Sequence, residues 1–348
     1  MNSTTTIGLD LAKSVFQVHG VDASSTPTIK RQLKRKDVLA FFARTPRCLV
    51  GLEACGTAHH WARELGRLGH TVRLLPPTDV KPYVRRGKTD AADAEAICEA
   101  VTRPRHKSVP VKTIDQQCAL MVHSVRQQMI GQRTAQMNAI RSHLAELGLI
   151  EREGREGMER LLTQLRDETC DDIPPLARQV LSGLAELLAV TEARIDALDA
   201  LIRAQSKVDP VSRRLQTIPG VGPLAASAFA ATVSDPQAFR NGRAFAAALG
   251  ITPKLDGTGG KVRTGAITKK GNRYLRRLLY LGAMARLLWA KRRPDRAAPA
   301  LLGLLARLPI RKAAMALANK TARIIWVLLA RGGTYVNNHL PTAYAAPA

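Results

Sequence analysis

The stretch TIGLDLAKSVFQVHGV, residues 6–21, decides how the chain begins to fold. Residues 6–9 and 15–21 are rich in apolar and β-branched residues, and Gly8 and Lys13 lie near the bend between them. Two such stretches with a short connection predict a β-hairpin. The first strand is followed directly by an acid, so a carboxylate is expected at the end of a buried strand.

Two further apolar stretches extend the predicted sheet. Residues 47–52 and 70–75 each predict a strand, and residues 57–68 between them carry apolar side chains at helical spacing. Strands that alternate with helices predict an α/β domain, in which a mixed sheet is flanked by helices.

From about residue 114 to residue 206 the pattern becomes helical. Apolar side chains recur at steps of three and four residues on both sides of a polar break. We predict two long amphipathic helices, packed as an antiparallel pair or as the coiled-coil arm of a dimer, and interpret the apolar residues as packing surface. These residues are Val122, Val125, Met129, Met137, Ile140, Leu144 and Leu147 before the break, and Leu184, Leu187, Ile195, Leu198 and Ile202 after it.

The last part, residues 215–333, is rich in Ala, Leu and Arg and is predicted to be mostly helical. The motif IPGVG, residues 218–222, predicts a helix-hairpin-helix in which Gly220 and Gly222 let backbone N–H groups approach a phosphate. A tight interhelical turn is the alternative interpretation of the same glycines. Residues 253–271 are rich in Gly, Thr and Lys and predict a loop.

The charge of the chain requires a polyanionic partner. With 53 Lys and Arg against 28 Asp and Glu, the 348 residues carry a net charge of +25. Nucleic acid, bound with release of counterions, is the main interpretation. Residues 261–296 hold twelve Lys and Arg but only one acid, whereas a solvated face normally mixes both signs. The candidate phosphate-binding residues of this segment are Lys261, Arg263, Lys269, Lys270, Arg273, Arg276 and Arg277.

Several classes of protein are excluded by composition. The length suggests about two domains, and no uncharged apolar run approaches the roughly 18 residues of a membrane span. Five cysteines without CxxC spacing argue against a zinc site and a secreted disulfide framework. From this cysteine usage a cytoplasmic location follows as the default expectation. No signal peptide is evident, and we expect no membrane partner.

Four acids of the first domain are candidate metal ligands. Asp10 and Glu53 each follow a predicted strand, and Asp90 and Asp93 are three residues apart, on one face of a predicted helix. Carboxylates that converge from strand ends and a helix suit Mg²⁺, which prefers oxygen ligands. Two such ions can clamp the attacking and leaving oxygens at phosphorus. As the structural alternative, acids are also favoured in the first turn of a helix, and Asp10 could cap a turn.

Hydroxyl groups in the predicted loop are candidate nucleophiles. Thr252, Thr258, Thr264 and Thr268 lie beside the arginines, where a hydroxyl could attack phosphorus. Threonine in a Gly-rich segment is also a common turn former, so the residues alone leave the role of each hydroxyl open.

Six motifs together resemble a known family. The chain resembles the DEDD transposases of bacterial insertion sequences, the insertion-sequence one-ten family of bridge-RNA-guided recombinases. The motifs occur in the order of that family, and the set is far more specific than any one of them. They are IGLDLAK (7–13), LEACGT (52–57), KTDAADA (88–94), IPGVG (218–222), FAAALGITP (245–253) and ITKKGNRYLRR (267–277).

The resemblance implies a division into four parts. Residues 1–110 correspond to a RuvC-like, RNase H-type catalytic domain, and residues 111–208 to a helical coiled-coil linker that supports oligomerisation. Residues 209–335 correspond to a mostly helical transposase domain, and residues 336–348 to a tail.

The resemblance also implies the chemistry and the partners. The four acids of the family map to Asp10, Glu53, Asp90 and Asp93, with Mg²⁺ as the expected cofactor. The family's serine nucleophile, which forms a covalent link to cleaved DNA, falls on Thr258, whose extra methyl group crowds in-line attack. The expected partners are donor and target double-stranded DNA, a noncoding RNA of the element that pairs with both, and further copies of the chain in a dimer or tetramer.

Three other functions stay open at this point. A RuvC-type nuclease would hydrolyse DNA with the same acids and leave no covalent adduct. An actin-like ATPase or sugar kinase shares the motif IGLDLAK, but no later phosphate segment is evident and a charge of +25 is unusual for that class. A catalytically inactive nucleic-acid-binding relative is the third, because Thr258 departs from the family pattern.

Overall fold

The computed structural model describes residues 3–84, 89–104 and 108–336, and the chain separates into two compact units, Met1–Thr113 and Ile114–Ala348. The first unit is built on a β-sheet, and the second consists mostly of helices. The finer division into linker, transposase domain and tail stays a prediction.

A mixed five-stranded sheet forms the centre of the first unit. The strands lie in the order β3-β2-β1-β4-β5. Strand β1 pairs antiparallel with β2 and parallel with β4, β2 pairs antiparallel with β3, and β4 pairs parallel with β5. The strands are β1 (Thr6–Asp10), β2 (Val15–Val21), β3 (Pro27–Lys34), β4 (Leu49–Glu53) and β5 (Thr71–Leu75).

Helices cover both faces of this sheet. Ile7, Leu9 and Leu52 lie in an apolar core with Trp61 and Leu65 of the second helix, and the fourth helix packs on the other face. The helices are α1 (Val38–Arg44), α2 (Ala58–Arg67), α3 (Pro77–Val80) and α4 (Asp90–Thr102), with short 3-10 turns at Arg35–Asp37 and Lys81–Tyr83. The arrangement fits the predicted RNase H-like fold class.

The predicted hairpin, the two further strands and the helix between them are all present. The edge strand β3 was not predicted, because its sequence PTIKRQLK lacks a regular apolar alternation and most of its residues are exposed. Lysines and arginines on an edge strand oppose pairing with another chain, so this position tolerates a sequence that does not resemble a strand.

The second unit contains nine described helices and one β-hairpin. They are α5 (Ile114–Glu146), α6 (Arg155–Arg166), α7 (Pro175–Val208), α8 (Pro210–Gln216), α9 (Pro223–Thr232), α10 (Gly242–Ala248), β6 (Pro253–Thr258), β7 (Lys261–Ile267), α11 (Arg273–Arg292), α12 (Pro299–Arg307) and α13 (Ile310–Arg331), with 3-10 turns at Pro236–Ala238 and Pro294–Arg296.

The two long helices α5 and α7 pack antiparallel, one of the two arrangements that the sequence predicts. Arg126, early in α5, forms an ion pair with Asp199, late in α7, and Ile140 lies in one apolar cluster with Leu181 near the start of α7. The buried residues Leu181, Leu188, Ile195 and Ile202 follow each other at intervals of seven. The assignment of Leu187 to this stripe was wrong: its side chain is 52% exposed, because the heptad places Leu188 inward instead.

The helices after α7 share one apolar core. Helix α13 is the one helix among the described residues that is long and apolar enough to cross a membrane, and half of its most apolar window is buried within the protein. Residues such as Ala318, Ala322 and Ile325 of α13 pack with Leu279 and Ala283 of α11 in that core. The apolar composition of α13 therefore has a structural explanation within this unit.

Candidate active site

Two neighbouring strands end in acids at the same edge of the sheet. In the parallel pair β1–β4, Gly8 lies opposite Gly51, so that Asp10 and Glu53 each end their strand two residues later. Alternate residues of a strand face the same side of a sheet. Asp10 therefore faces the side of Gly8, and Glu53 the side of Gly51.

That side of the sheet is covered by α4, which comes unusually close to both glycines. A Cβ atom on Gly8 would lie 2.2 Å from the Ala94 carbonyl oxygen and 2.4 Å from the Cys98 backbone nitrogen. A Cβ atom on Gly51 would lie 2.8 Å from Val101 Cβ. Only glycine at these two positions lets the helix backbone approach the strands so closely.

The first turn of α4 brings two more acids to the strand ends. Thr89 caps the helix, since its Oγ1 accepts a hydrogen bond from the Ala92 backbone N–H over 3.3 Å. Carboxylate oxygens of Asp10, Asp90 and Asp93 lie within 4.8 Å of one another. Asp10 and Asp93 are half-buried and Asp90 is exposed.

Burial of its carboxyl group and the neighbouring carboxylates raise the pKa of Asp10 to about 6. Burial of the carboxyl group contributes most, followed by the negative charges of Asp93, Asp90 and Glu53, while the Leu11 backbone N–H opposes them. Glu53 lies outside the group of three but close enough to add to the repulsion. Two half-buried carboxylates and an exposed one, all oxygen donors that repel one another, are stabilised by a hard divalent cation, so the residues fit such an ion.

The segment predicted as a loop around Thr258 is a β-hairpin instead. Strands β6 and β7 are joined by Gly259 and Gly260, whose φ angles are 56° and 78°. Positive φ at both central positions is what a two-residue type I′ turn requires, and Gly-Gly supplies it without strain. The interpretation as a loop was wrong because a Gly-rich composition, which is typical of loops, here includes the two glycines that form this turn.

The hairpin separates the candidate hydroxyls. Residues directly opposite each other in an antiparallel pair share a face, and Thr258 pairs with Lys261 next to the pair of Asp256 and Arg263. Thr264 lies opposite Leu255, on the other face, where Val262 also lies. Thr258 is thus exposed at the tip of the charged face.

The remaining two threonines lie at the base of the hairpin. The Thr268 backbone N–H donates to the Thr252 carbonyl oxygen over 2.9 Å. Both residues are half-buried, unlike Thr258. Of the four candidate hydroxyls, Thr258 therefore shares an exposed face with two cations.

The predicted cations near the hairpin differ in their surroundings. Arg276 is half-buried and donates to the carbonyl oxygens of Leu249 over 2.8 Å and Lys270 over 3.0 Å. It therefore holds the base of the hairpin against the start of α11. The exposed members of the predicted set are Lys261, Arg263, Lys269, Lys270, Arg273 and Arg277.

The turn between α8 and α9 contains the predicted Gly220 and Gly222. Gly220 has a φ of 84°, and a Cβ atom on Gly282 of α11 would lie 2.1 Å from the Gly220 carbonyl oxygen. Gly222 borders open space at the start of α9. The close contact with Gly282 accounts for a small residue in α11, and phosphate binding by the two turn glycines stays a prediction.

Two family models match the chain. A DEDD transposase model of the IS110 type, described as "Transposase", matches residues 7–148, a range that includes all four acids. A second model, described as "Transposase IS116/IS110/IS902 family", matches residues 212–298, which include the IPGVG turn, the hairpin and the basic segment.

Curated relatives cover nearly the whole chain. It is 48% identical over 330 residues to a probable family 20 transposase of Pseudomonas aeruginosa, covering 94% of this chain and 98% of that protein. It is 35% identical over 335 residues to the transposase for insertion sequence element IS1111A of Coxiella burnetii, covering 96% and 92% of the two chains. The chain belongs to the IS110 family of insertion-sequence transposases. A transposase for element IS1328 of Yersinia enterocolitica is 33% identical over 335 residues, or 96% and 99% of the two chains.

Membership of this transposase family gives the broad activity. Transposases cleave DNA and transfer its strands, so DNA is the substrate, and DEDD transposases use divalent metal ions. The predicted identity of the family is thereby confirmed. Sequence reasoning missed Gly8 and Gly51 as determinants of this transposase's site, although a glycine inside an apolar strand is itself an indication of close backbone approach.

Proposed function

We propose that this transposase cuts and rejoins DNA at the carboxylate cluster of its first unit, with Mg²⁺ as the ion. The observation that carries the proposal is the convergence of Asp10, Asp90 and Asp93, whose oxygens lie within 4.8 Å of one another although they come from a strand end and a helix. Glu53, at the end of the neighbouring strand, completes the set of four acids that the family motif contains.

The chain's own residues have separate tasks in this proposal. When bound, Mg²⁺ supplies Lewis-acid stabilisation of charge on the phosphate oxygens. Asp10, Glu53, Asp90 and Asp93 hold that ion beside the DNA, and α4 fixes two of them relative to the strand ends. The exposed cations of the hairpin and of α11 bind the phosphate backbone and so position it.

Thr258 is the proposed nucleophile. Its Oγ1 attacks the scissile phosphorus, a bond from oxygen to phosphorus forms, and the bond from phosphorus to the leaving deoxyribose oxygen breaks. Overall, the hydroxyl proton moves to that leaving oxygen, so a phosphothreonine ester and a free DNA hydroxyl result. The position of Thr258 at an exposed tip, on the face of Lys261 and Arg263, supports this role.

Guide RNA, oligomerisation and cytoplasmic location belong to the same proposal. The resemblance to bridge-RNA-guided recombinases and the charge of +25 support an RNA partner in addition to DNA. A dimer or tetramer is supported by apolar side chains that α7 leaves exposed on the faces beside its buried heptad. These are Leu176, Val180, Leu187, Val190 and Leu201.

The test of the metal site compares cleavage with binding. We expect Asp10→Asn and Glu53→Gln to reduce strand cleavage of element-end DNA by at least about 1,000-fold while duplex binding stays within about twofold, because phosphate contacts lie elsewhere. Asp115→Asn, an exposed acid at the start of α5, is the matched control and should cleave normally. In the absence of metal, the melting temperature of Asp10→Asn should be no lower than that of the wild type, because the substitution removes one of the carboxylates that repel one another. Normal cleavage by Asp10→Asn would refute the assignment.

The test of the nucleophile is a covalent protein–DNA adduct trapped on a nicked substrate. We expect the adduct with the wild type and with Thr264→Ala, and its loss with Thr258→Ala, because the two hydroxyls lie on opposite faces of the hairpin. Thr258→Ser should restore it and raise the rate, since serine lacks the crowding methyl group. An adduct that persists in Thr258→Ala rejects this residue as nucleophile.

A hydrolytic nuclease is the second candidate function, and the threonine at the family's serine position is the observation that favours it. It predicts cleavage by the wild type that depends on Asp10 but never yields an adduct. The same gel therefore separates transesterification from hydrolysis.

A further inference from the structure

A basic groove lies between the start of α10 and the exposed side of α13. It encloses a cavity volume of about 1190 Å³, and its lining includes Asn319 and Thr334 as further polar residues. None of its residues belongs to the basic segment 261–296 that the sequence singles out. The five cations of this α13 groove are Arg240, Arg243, Lys320, Arg323 and Arg331.

Helical spacing places three of these cations on one side of α13. Lys320, Arg323 and Arg331 follow each other at three and eight residues, with the exposed Val327 between them, so all four share a face. The opposite face of α13 carries the buried core residues. The exposed face therefore cannot turn inward, and its positive charge is a fixed property of the fold.

Helix α10 supplies the other wall. Its first residue, Gly242, lies so close to α13 that a Cβ atom there would be 3.1 Å from the Arg323 carbonyl oxygen. This contact brings Arg240 and Arg243, which flank Gly242, alongside the cations of α13. Both arginines are exposed.

Within the part of the chain that the structure describes, the positive charge of the groove has no acidic counterpart. No acid lines the groove, and within residues 3–84, 89–104 and 108–336 none of the five cations takes part in an ion pair or a side-chain hydrogen bond. Arg126 in the same unit, by contrast, is bound to Asp199. Like charges gathered in one concave surface repel one another and focus an attractive potential on an anion from outside.

We propose that the α13 groove binds the sugar–phosphate backbone of a nucleic-acid duplex. From Lys320 to Arg331 the helix rises by about 17 Å, a length that spans several phosphates of one strand rather than a single small anion. Two aromatic side chains line the groove. Tyr335 is half-buried, whereas Trp326 is buried and its Nε1–H donates to the Pro236 carbonyl oxygen over 2.9 Å. Trp326 is therefore committed to the fold and not available for base stacking, and a lining with five cations favours contact with phosphates over single-strand recognition.

The chemistry of a phosphate backbone is shared by DNA and RNA duplexes, and the experiment distinguishes them. The inference goes beyond the proposed function, on which it rests only in taking nucleic acid as the ligand class. Binding can be measured in a chelator without divalent ions, so that it does not depend on the carboxylate cluster.

The test replaces two exposed cations and counts the phosphate contacts that are lost. Full-length Lys320→Gln/Arg323→Gln is compared with Arg203→Gln/Lys207→Gln, which removes the same charge from exposed positions of α7. A fluorescent 20-base-pair DNA duplex of arbitrary sequence and an RNA duplex of the same sequence are the probes, titrated at several salt concentrations in EDTA. We expect the groove variant to bind about tenfold more weakly in 0.1 M salt, with the slope of log K against log salt reduced by about 2, and the α7 variant to be unchanged.

Each outcome has a defined meaning. Weaker binding of the DNA probe, the RNA probe or both by the groove variant alone supports the inference and assigns the ligand of the groove to that class. An unchanged slope in the groove variant, or equal losses in both variants, overturns the inference while the proposed function stands. If the wild type binds neither duplex, the proposed function fails together with the inference. Equal melting temperatures of the three proteins confirm that the exposed substitutions leave the fold intact.

Discussion

The two units of this transposase differ in how their charged side chains are arranged: acids are clustered in the first unit, and cations are dispersed in the second. In the first unit, the carboxylate oxygens of Asp10, Asp90 and Asp93 lie within 4.8 Å of one another. Asp10 ends strand β1, and α4, which carries the other two acids, packs against the sheet at Gly8 and Gly51. In the second unit, cations are spread over exposed positions of a hairpin and of the helices α11 and α13. The acids repel one another at short range, whereas most cations are solvated.

This difference separates two kinds of requirement. A metal site needs several ligands at once in a fixed geometry, so a small displacement of one element affects all of them. Contacts to a phosphate backbone are separate and nearly additive, so the loss of one cation weakens binding without abolishing it. We therefore expect the first unit to be sensitive to packing changes far smaller than those that the surfaces of the second unit tolerate.

Among substitutions that change packing and leave the carboxylates in place, the largest effect is expected from Gly8→Ala. The added Cβ would lie 2.2 Å from the Ala94 carbonyl oxygen, so α4 must move away from the sheet and carry Asp90 and Asp93 with it. Cleavage should fall by about 100-fold or more, since a shift of about 1 Å in a catalytic group has this effect. The free energy of unfolding should drop by about 1–3 kcal/mol through overpacking. Chemical denaturation and a cleavage assay measure the two quantities.

Gly66→Ala is the matched control for this substitution. Gly66 lies in α2 with no atom within 4 Å of the added Cβ, so alanine there should leave cleavage unchanged and stabilise the helix by about 0.5–1 kcal/mol. Full cleavage by Gly8→Ala would show that the position of α4 does not control the carboxylate cluster.

A smaller effect is expected from a buried histidine in the second unit. His123 Nδ1 lies 2.9 Å from Tyr274 Oη and Nε2 lies 3.2 Å from Ser227 Oγ, next to the ion pair of Arg126 and Asp199. Burial, with a further contribution from Arg126, lowers the pKa of His123 to about 4, while Asp199 opposes the shift. The neutral ring thus joins α5 to α9 and α11.

The sign of the pH dependence follows from this lowered pKa. In the unfolded chain His123 binds a proton below about pH 6.5, whereas in the folded chain it does so only below about pH 4. The free energy of unfolding therefore falls as the pH decreases from 6.5 to 4. The contribution amounts to about 3 kcal/mol. In urea denaturation, His123→Gln should show a correspondingly shallower decline between pH 6.5 and 4, and the exposed-site control His60→Gln should follow the wild type. Identical pH profiles for wild type and His123→Gln would contradict this account.

The sequence predicted the carboxylate cluster of the first unit better than it predicted the surfaces of the second unit. Asp10, Glu53, Asp90 and Asp93 could be found because strand ends and a helical first turn follow from local periodicity, and parallel strands end at one edge. The order of the family motifs then identified the transposase. The role of Gly8 and Gly51 in setting the distance between the sheet and α4 could not be predicted in the same way. It depends on the register between two strands that lie far apart along the chain.

The remaining features depend on tertiary structure or on turn geometry. The interpretation of residues 253–271 as a loop was wrong because Gly259 and Gly260 close a hairpin of otherwise polar strands. The α13 groove could not be predicted from charge density, since its cations lie between residues 240 and 331 and meet only after α10 packs on α13. Leu187 was misplaced because the buried stripe of α7 is a heptad, which three- and four-residue steps do not specify uniquely.

Binding of Mn²⁺ tests directly whether the carboxylates of the first unit form one metal site. Mn²⁺ substitutes for Mg²⁺, and its binding can be followed by the loss of the free-ion electron paramagnetic resonance signal. The full-length wild type should bind Mn²⁺, with displacement by Mg²⁺. Asp10→Asn and Asp93→Asn should each weaken that binding by at least about tenfold, while Asp115→Asn retains it. Equal Mn²⁺ binding by the wild type, Asp10→Asn and Asp93→Asn would contradict the claim that these carboxylates form one metal site.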